Sequence, residues 1–542
     1  MSGFIGFASK YDVLQKIFLG ADYHSHLGTK FGGMAIIRGD NLYYKIHDIR
    51  SVPFKAQFED IVKKLRPKRG TPKIYAGLGV ISDGEPQPLA YRSKWGKFAI
   101  ATNGKVNNLD DLVEQLSKKR RLTVIENPEP TEFNNKKNGP NQTDIVANLI
   151  AEKNTIPEGI AYMRSKIKGA LSLTILLHND DETGIWAAAD TYGNNNLWIG
   201  KGIGGFAAAT STTAFPNLGF GPLHLLAPGE ITYLSASSLD NKLGFPGVDV
   251  KEPCIFLDIY TEFPSGVGSL GMSAEAFRYQ TGACLAKRDH IVADLNFGVA
   301  DSGIGHMLGY TNEKIAQMHN IMQKLLKVYN SGKLNTMEFE SALHDIFNAA
   351  LEVNPIKRAL VKYSATWGRS YQPDMQEIRD FVGFMKQIPI PELIDGYVIK
   401  FFEDSIVRGT QLKQMIEKLR KYSPKALHAR VGSAILLDAC PYNRSTKQRR
   451  ELEAWGGIAY LEGIPISPDG HPSEEVELVD AKFIQEYADP STKRYKNLVE
   501  WICADLNLDS LMYLYPHELL LITGRKPNEI CRHCFGYPSQ RL

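Results

Sequence analysis

The chain contains 542 residues, of which 63 are Lys or Arg and 60 are Asp or Glu, so its formal net charge is +3. A hydrophobic fraction of 43% is typical of globular proteins and excludes a chain that is disordered throughout. At roughly 100–200 residues per domain, this length predicts two or more domains. The near-balanced charge does not favour binding to nucleic acid or a membrane surface, so we expect any phosphate recognition to be local.

Six cysteines are too few for a disulfide scaffold at this length. The first residues lack the basic segment and the long apolar segment of a secretory signal peptide. The longest uncharged run, between Lys201 and Glu230, is interrupted by Pro216, Pro222 and Pro228 and is unlike a membrane-spanning helix. We therefore expect a cytoplasmic protein without a membrane segment.

The apolar segments in the first half of the chain predict mainly strands. Residues 171–177 and 185–189 are apolar runs separated by a polar turn at 179–184, which predicts a β-hairpin. Residues 144–153 carry apolar side chains at helical spacing, with Thr143 as the predicted N-cap. This mixture predicts a layered α+β domain.

From about residue 251 strands alternate with long helical segments, which predicts βαβ units and a parallel sheet. The pattern at Ile315, Met318, Ile321, Met322 and Leu325 has helical periodicity. We expect a helical insertion over about 313–356, with a role in packing and not in chemistry.

The most specific local signal is a turn between a strand that begins near Val398 and a helix that begins near Gln411. The turn contains Ser405 and Thr410, whose hydroxyls and neighbouring N–H groups can bind phosphate at a helix N-terminus. Two carboxylates precede it at positions 403 and 404, which suit sugar hydroxyls or hydrated Mg²⁺. The combination predicts a phosphorylated sugar as ligand.

Residues 403–410 resemble the phosphoribosyl pyrophosphate (PRPP) motif of type I phosphoribosyltransferases, and more specifically that of the amidophosphoribosyltransferase family. The departures are Glu403, where the family has Asp, and Gln411, where it has a second hydroxyl. The resemblance implies Mg²⁺ at Ser302, Glu403 and Asp404. It implies PRPP binding by Glu403, Asp404, Ser405, Ile406, Val407, Arg408, Gly409, Thr410, Lys362, Arg369, Arg379 and Lys386.

Four cysteines form a second pattern. Cys531 and Cys534 make a CxxC pair that, with two distant cysteines, could hold either Zn²⁺ or a [4Fe–4S] cluster. Cys254, Cys440, Cys531 and Cys534 match the cluster cysteines of the iron–sulfur members of the family, so the resemblance implies a structural [4Fe–4S] cluster. Zinc and unliganded thiols remain the alternatives.

The first half resembles the class II glutamine amidotransferase domain, in which an N-terminal cysteine attacks glutamine. Here the nucleophile position is Ser2, while Asn103 and Gly104 match the oxyanion-hole pair and Asp144 matches the carboxylate that holds the glutamine amine. Two arginines of the family are replaced, one by Leu27 and one by Ser82. These losses predict a domain with little or no glutaminase activity.

The resemblance thus implies an α+β four-layer N-terminal-nucleophile domain over residues 1–245 and an α/β type I phosphoribosyltransferase domain over 246–542. We expect an enzyme of purine biosynthesis that makes 5-phosphoribosylamine from PRPP with free or partner-supplied ammonia, and that forms a homo-oligomer. The alternatives are a glutamine-dependent enzyme that uses Ser2 after removal of Met1, and a non-catalytic PRPP-binding or nucleotide-binding regulator.

Overall fold

The structure, a computed structural model, describes residues 2–68, 70–119, 125, 127, 139–242, 252–352, 356–362, 387–442 and 448–539. The strands are β1 Ser2–Ser9, β2 Phe31–Arg38, β3 Asn41–Asp48, β4 Ala76–Ser82, β5 Leu89–Ser93, β6 Gly96–Val106, β7 Gly169–His178, β8 Thr183–Ala188, β9 Trp198–Gly202, β10 Gly205–Ala209, β11 Phe220–Leu225, β12 Ile231–Leu234, β13 Leu239–Lys242, β14 Leu295–Gly298, β15 Leu360–Lys362, β16 Gln387–Pro389, β17 Val398–Glu403, β18 Ala426–Val431 and β19 Ser510–Tyr513.

The α-helices are α1 Leu14–Tyr23, α2 Phe54–Leu65, α3 Leu109–Lys119, α4 Gln142–Ala151, α5 Ile156–Lys166, α6 Phe215–Leu218, α7 Ala274–Arg288, α8 Ser302–Asn330, α9 Thr336–Glu352, α10 Thr410–Arg420, α11 Glu453–Glu462, α12 Ala481–Ala488, α13 Lys493–Asp505 and α14 Pro516–Thr523. A short π-helical turn spans Leu257–Thr261. Within the described residues, none of the helices is both long and apolar enough to cross a membrane.

Two antiparallel sheets form the first half, with strand orders β11-β9-β10-β1-β4-β2-β3 and β13-β12-β8-β7-β6-β5. One apolar cluster lies between the sheets, where Phe4 and Leu78 of the first meet Leu176 and Ile185 of the second. Helices α1, α2 and α6 cover the outer face of the first sheet, and α3, α4 and α5 cover that of the second. The order of layers is therefore helix, sheet, sheet, helix.

The predicted hairpin is confirmed, because β7 and β8 pair antiparallel, with Leu173 opposite Ala188. The predicted cap of α4 is wrong. Asn141 is the N-cap and accepts hydrogen bonds from two backbone N–H groups, while the Thr143 hydroxyl donates to the carboxylate of Glu85. The hydroxyl that the sequence predicted as the cap therefore donates to a buried carboxylate and does not accept from a backbone N–H group.

In the second half β14, β17, β18 and β19 form the predicted parallel sheet. Helices α8 and α9 cover most of the stretch expected to be helical. A buried ion cluster joins this sheet to α7. Arg430 donates two hydrogen bonds to Asp289, of 2.6 and 2.9 Å, and Lys400 Nζ lies 3.1 Å from the same carboxylate. These cations hold the pKa of Asp289 well below its usual range, so the buried carboxylate stays ionised and ties α7 to two strands.

Candidate functional site

The predicted phosphate loop lies at the carboxyl end of β17. The strand ends at Glu403 and α10 begins at Thr410, so residues 404–409 form the expected strand-to-helix turn. Gly409 is the N-cap, with a left-handed φ of +69°, and a Cβ there would collide with the carboxylate of Glu453. Glycine therefore allows the close approach, and the first N–H groups of α10 have no partner within the helix and can bind an anion.

The side chains of this loop differ in what they can contribute. Ile406 is buried in the core at 5% exposure, so only its backbone can contact a ligand. Arg408 pairs with the carboxylate of Glu451, and the Thr410 hydroxyl donates weakly to the Arg408 carbonyl at 3.4 Å. The loop therefore offers mainly backbone donors and hydroxyls, as the sequence predicts.

The two carboxylates before the loop lie side by side. Asp404 is 3% exposed and accepts hydrogen bonds from the hydroxyl of Ser302 and, at 2.7 Å, from that of Ser405. Burial raises the pKa of both Glu403 and Asp404, and the charge of Asp404 raises that of Glu403 further. A cation or a set of hydroxyl donors between them would relieve this cost.

The predicted pyrophosphate loop meets the same sheet edge. β14 pairs with β17 so that Gly298 lies opposite Phe402, and a Cβ on Gly303 would collide with the Phe402 carbonyl. The loop between Gly298 and Gly303 carries Asp301, whose carboxylate pairs with Lys362. The structure thus brings Ser302 to Asp404 and Lys362 to Asp301, while Arg369, Arg379 and Lys386 lie outside the described residues.

Sequence reasoning missed two residues of this site. Arg278 of α7 is 1% exposed and is an electrostatic neighbour of Asp404. Glu453, at the start of α11, contacts the loop from the other side, where its N–H donates to the Val407 carbonyl at 2.9 Å. Both lie far from the motif along the chain, and only the tertiary fold brings them to it.

The donors at this edge suit a magnesium ion, since carboxylate and hydroxyl oxygens are the ligands that Mg²⁺ prefers. Among the residues that the structure describes, no group of three or more His, Cys, Asp or Glu side chains is placed to hold a metal ion. The protein therefore supplies two carboxylates and a hydroxyl here, which fits a hydrated ion that takes its other ligands from water and substrate.

The four cysteines of the second pattern are electrostatic neighbours, although the described side chains include no group of three or more placed to hold a metal ion. Cys254 and Cys531 form an isolated parallel β-bridge, and the Cys534 carbonyl accepts a hydrogen bond from Leu437, close to Cys440. Burial raises the thiol pKa of Cys254 and Cys534, and each is also an electrostatic neighbour of Cys440 and Cys531. A group that binds thiolates would remove the cost of ionising them.

The N-terminal site is built around Ser2, which is fully buried on β1. Its N–H donates to Asn103 Oδ1 at 3.2 Å, and its hydroxyl lies 3.0 Å from that of Ser82 and 3.4 Å from Gln87 Nε2. Gly104 has a φ of +142° and packs where a Cβ would collide with the backbone of β7. The structure thus brings Ser2 and Asn103 together.

Two carboxylates lie at the start of α4. Glu85 is fully buried and accepts hydrogen bonds from the backbone of Gln142, at 2.7 Å, and of Thr143, at 2.8 Å. Asp144 accepts from the Tyr91 hydroxyl at 2.7 Å and from Asn148 at 3.1 Å. The start of α4, which could attract a substrate anion, is therefore occupied by a carboxylate of the chain itself.

Leu27 and Ser82 occupy the positions where the family resemblance expects arginines. Leu27 is 6% exposed, and a Cβ on Gly3 would lie 2.9 Å from its Cδ1, so it fills an apolar contact behind β1. The Ser82 hydroxyl accepts from the N–H groups of Gly84 and Glu85 at 3.2 Å each. Neither side chain can pair with a substrate carboxylate as a guanidinium would.

Together these features define a class of protein, in which a four-layer α+β unit with a buried N-terminal site is joined to a parallel α/β unit with a phosphate-binding turn. No protein-family model matches the chain. Curated relatives do match it. The amidophosphoribosyltransferase of Methanocaldococcus jannaschii is 24% identical over 84% of this chain and 88% of the relative, and that of Synechocystis sp. is 23% identical over 98% and 89%.

A solved structure has the same fold. The glutamine PRPP amidotransferase of B. subtilis, complexed with ADP and GMP, superposes with a TM-score of 0.71 at 21% identity and covers 98% of this chain and 96% of its own. The chain therefore has the fold of this solved structure, a four-layer unit with two antiparallel sheets joined to a unit with a parallel sheet. Over most of its length the chain is therefore similar to curated amidophosphoribosyltransferases.

Proposed function

We propose that the chain is an enzyme of purine biosynthesis that forms 5-phosphoribosylamine from PRPP, with free or partner-supplied ammonia as the nitrogen donor. The observation that carries this proposal is the contrast between its two sites. Next to the phosphate loop, Ser302 donates to Asp404, and Lys362 pairs with Asp301 of the neighbouring loop. The N-terminal pocket has Ser2 as its nucleophile position and no arginine at positions 27 and 82.

In this proposal the N–H groups at the start of α10 and the hydroxyls of Ser405 and Thr410 bind the 5-phosphate of PRPP. The carboxylates of Glu403 and Asp404 accept hydrogen bonds from the ribose hydroxyls. The pyrophosphate lies toward Lys362 and the loop that begins α8. This arrangement fixes both ends of the substrate and leaves C1 between them.

The lone pair of ammonia forms the bond to C1 while the electrons of the C1–O bond leave with pyrophosphate. The new amine nitrogen then releases one proton to solvent. Ammonia is neutral and nucleophilic, so the protein needs no strong base and contributes positioning and charge stabilisation. In this proposal the leaving pyrophosphate is stabilised by Ser302 and by the cations Lys362, Arg369, Arg379 and Lys386.

The N-terminal pocket supports ammonia as the donor. The α-carboxylate of a bound glutamine would lack its arginine, a charge-assisted pair of roughly 1.5–3 kcal/mol. A serine hydroxyl is also a far weaker nucleophile at neutral pH than a cysteine thiolate. We infer that this unit, with a boundary near residue 245, has little or no glutaminase activity.

Two cofactors belong to the proposal. Glu403, Asp404 and Ser302 would hold Mg²⁺, which supplies charge neutralisation for the pyrophosphate. Cys254, Cys440, Cys531 and Cys534 would hold a structural [4Fe–4S] cluster, which links segments that are distant in the sequence. We also expect a homo-oligomer.

The test incubates anaerobically purified protein with PRPP and Mg²⁺, adds either NH₄Cl at alkaline pH or glutamine, and measures pyrophosphate release. We expect release with NH₄Cl only. Asp404→Asn should reduce the rate at least a hundredfold, because it removes a charge at the sugar. Asp395→Asn, which changes an exposed carboxylate of the same half, is the matched control and should leave the rate unchanged.

The alternatives predict different results. Release with glutamine, lost in Ser2→Ala, would favour the glutamine-dependent enzyme. PRPP binding by calorimetry without release from either donor would favour a non-catalytic regulator. Either result would contradict the proposed function.

A further inference from the structure

An acidic side chain lies directly against the phosphate loop, although the ligand proposed for that loop is itself an anion. Glu453 begins α11, and its N–H donates to the Val407 carbonyl at 2.9 Å. Its carboxyl fills the space beside Gly409, where a Cβ would collide with Glu453 Oε2. Gly409 is the N-cap of α10, so this carboxyl contacts the residue at which the anion-binding N–H groups begin.

The surroundings of the Glu453 carboxyl do not suit a negative charge. Among the described residues, Glu453 Oε1 is buried and has no hydrogen-bond partner. A buried carboxylate oxygen that accepts no hydrogen bond is costly. A protonated carboxyl is neutral, so its burial costs less.

The charged and titratable neighbours of Glu453 come from three elements. Asp505 of α13 lies beside the carboxyl, and Lys413 of α10 is the cationic neighbour. Lys413 Nζ lies 3.2 Å from Asp505 Oδ2, so Asp505 has a cation as its partner. Tyr513 of β19 stays neutral, because burial raises its pKa well above the usual range. Two adjacent carboxyls rarely both ionise, and Glu453 is the one that keeps the proton.

We propose that Glu453 carries the proton that allows the loop to bind phosphate, so that PRPP binds when this carboxyl is neutral and brings one proton to it from solvent when it is ionised. The inference rests on the proposed function and specifies how its phosphate site is charged. A phosphate monoester carries nearly two negative charges at neutral pH, and an ionised carboxylate at the N-cap would repel it. A neutral carboxyl leaves the partial positive charge of the helix N-terminus to the ligand.

In this proposal Glu453 is a positioning residue, since it acts on the ligand through Gly409 and does not touch it. The proposal also sets an upper pH limit for the reaction. Ammonium must lose a proton to become a nucleophile, which favours alkaline pH, whereas the loop loses affinity for PRPP over the same range. Burial, reinforced by Asp505, raises the pKa of Glu453 to about 8, which places the loss of affinity above this pH.

The first measurement is the Kd for PRPP with Mg²⁺ at pH 7 and pH 9, determined by calorimetry without ammonia. Because the protonated fraction of Glu453 falls about tenfold between these pH values, the Kd of the wild type should rise about tenfold more than that of Glu453→Gln. The ionisation of PRPP and that of Glu403 and Asp404 are common to both proteins and cancel in this comparison. Glu417→Gln, an exposed carboxylate of α10, is the matched control and should behave as wild type.

The proton itself can be counted. Titrations at pH 9 in two buffers of different ionisation enthalpy should show that the wild type takes up about one proton more per PRPP than Glu453→Gln does. Equal proton uptake, or equal Kd ratios between the two pH values, would overturn the proposal, since a merely structural role would change Kd by the same factor at both. Asp505→Asn serves if Glu453→Gln does not fold. It removes the acidic neighbour, so the loss of affinity should begin at a lower pH, and a profile unchanged from wild type would equally overturn the proposal.

The second measurement is kcat/KM for PRPP at saturating ammonia between pH 8 and pH 9.5. We expect it to fall in the wild type relative to Glu453→Gln, by up to about tenfold per pH unit. PRPP binding and turnover with parallel profiles in the two proteins would overturn the role of Glu453 while the proposed function stands. If the wild type binds no PRPP at pH 7, the proposed function fails, and the inference that rests on it fails as well.

Discussion

Glu453, which contacts the phosphate loop, gives the most quantitative prediction. Its carboxyl lies against Gly409 and Asp505, and burial, reinforced by Asp505, raises its pKa from 4.5 to about 8. The folded protein therefore keeps a proton that the unfolded chain releases, and stability should fall as the pH rises from about 4.5 to about 8. The pKa difference corresponds to at most about 5 kcal/mol. Partial contact of the carboxyl with solvent reduces this to about 2–3 kcal/mol.

The perturbation is Glu453→Gln, which keeps the size of the side chain and removes its titration. Hydrogen exchange of α10 and α11, measured at pH 5 and pH 8.5 and corrected for the intrinsic rates, reports the local opening free energy. We expect the wild type to lose about 2–3 kcal/mol more than the variant between the two pH values. Glu417→Gln, an exposed carboxylate of α10, should behave as wild type. Parallel pH profiles for the wild type and Glu453→Gln would refute the reasoning.

Three further predictions concern the rest of the molecule. Ser2→Cys should not restore glutamine-dependent pyrophosphate release, since Ser82 still stands where a guanidinium is expected; appreciable glutaminase activity in that variant would show that the pocket is intact. Arg430→Met should lower the unfolding free energy by about 3–5 kcal/mol, because it leaves the buried Asp289 without its bidentate partner; a thermal unfolding midpoint unchanged from wild type would contradict this. Cys440→Ser should remove iron and sulfide from anaerobically purified protein, and equal iron in both proteins would exclude this cysteine as a ligand.

The sequence predicted features that depend on local order along the chain. The strand, turn and helix around Ser405 and Gly409 follow from apolar spacing and glycine, and all three lie where they were expected. The hairpin of β7 and β8 was predictable for the same reason. The cap of α4 was not predictable, because the N–H and the hydroxyl of Thr143 donate to Glu85, which lies 58 positions away in the sequence.

The remaining parts of the site depend on tertiary contacts. Arg278 and Glu453 reach the phosphate loop from helices that the motif does not include, and no local pattern marks them. The assignments of Arg369, Arg379 and Lys386 stay predictions.

The central claim is that this chain joins ammonia, and not the amide nitrogen of glutamine, to PRPP. It is tested most directly by supplying ¹⁵NH₄Cl and unlabelled glutamine together with PRPP and Mg²⁺, trapping the product and determining its nitrogen isotope by mass spectrometry. The account predicts product that carries ¹⁵N, formed at the same rate with or without glutamine. Product that carries unlabelled nitrogen would contradict it.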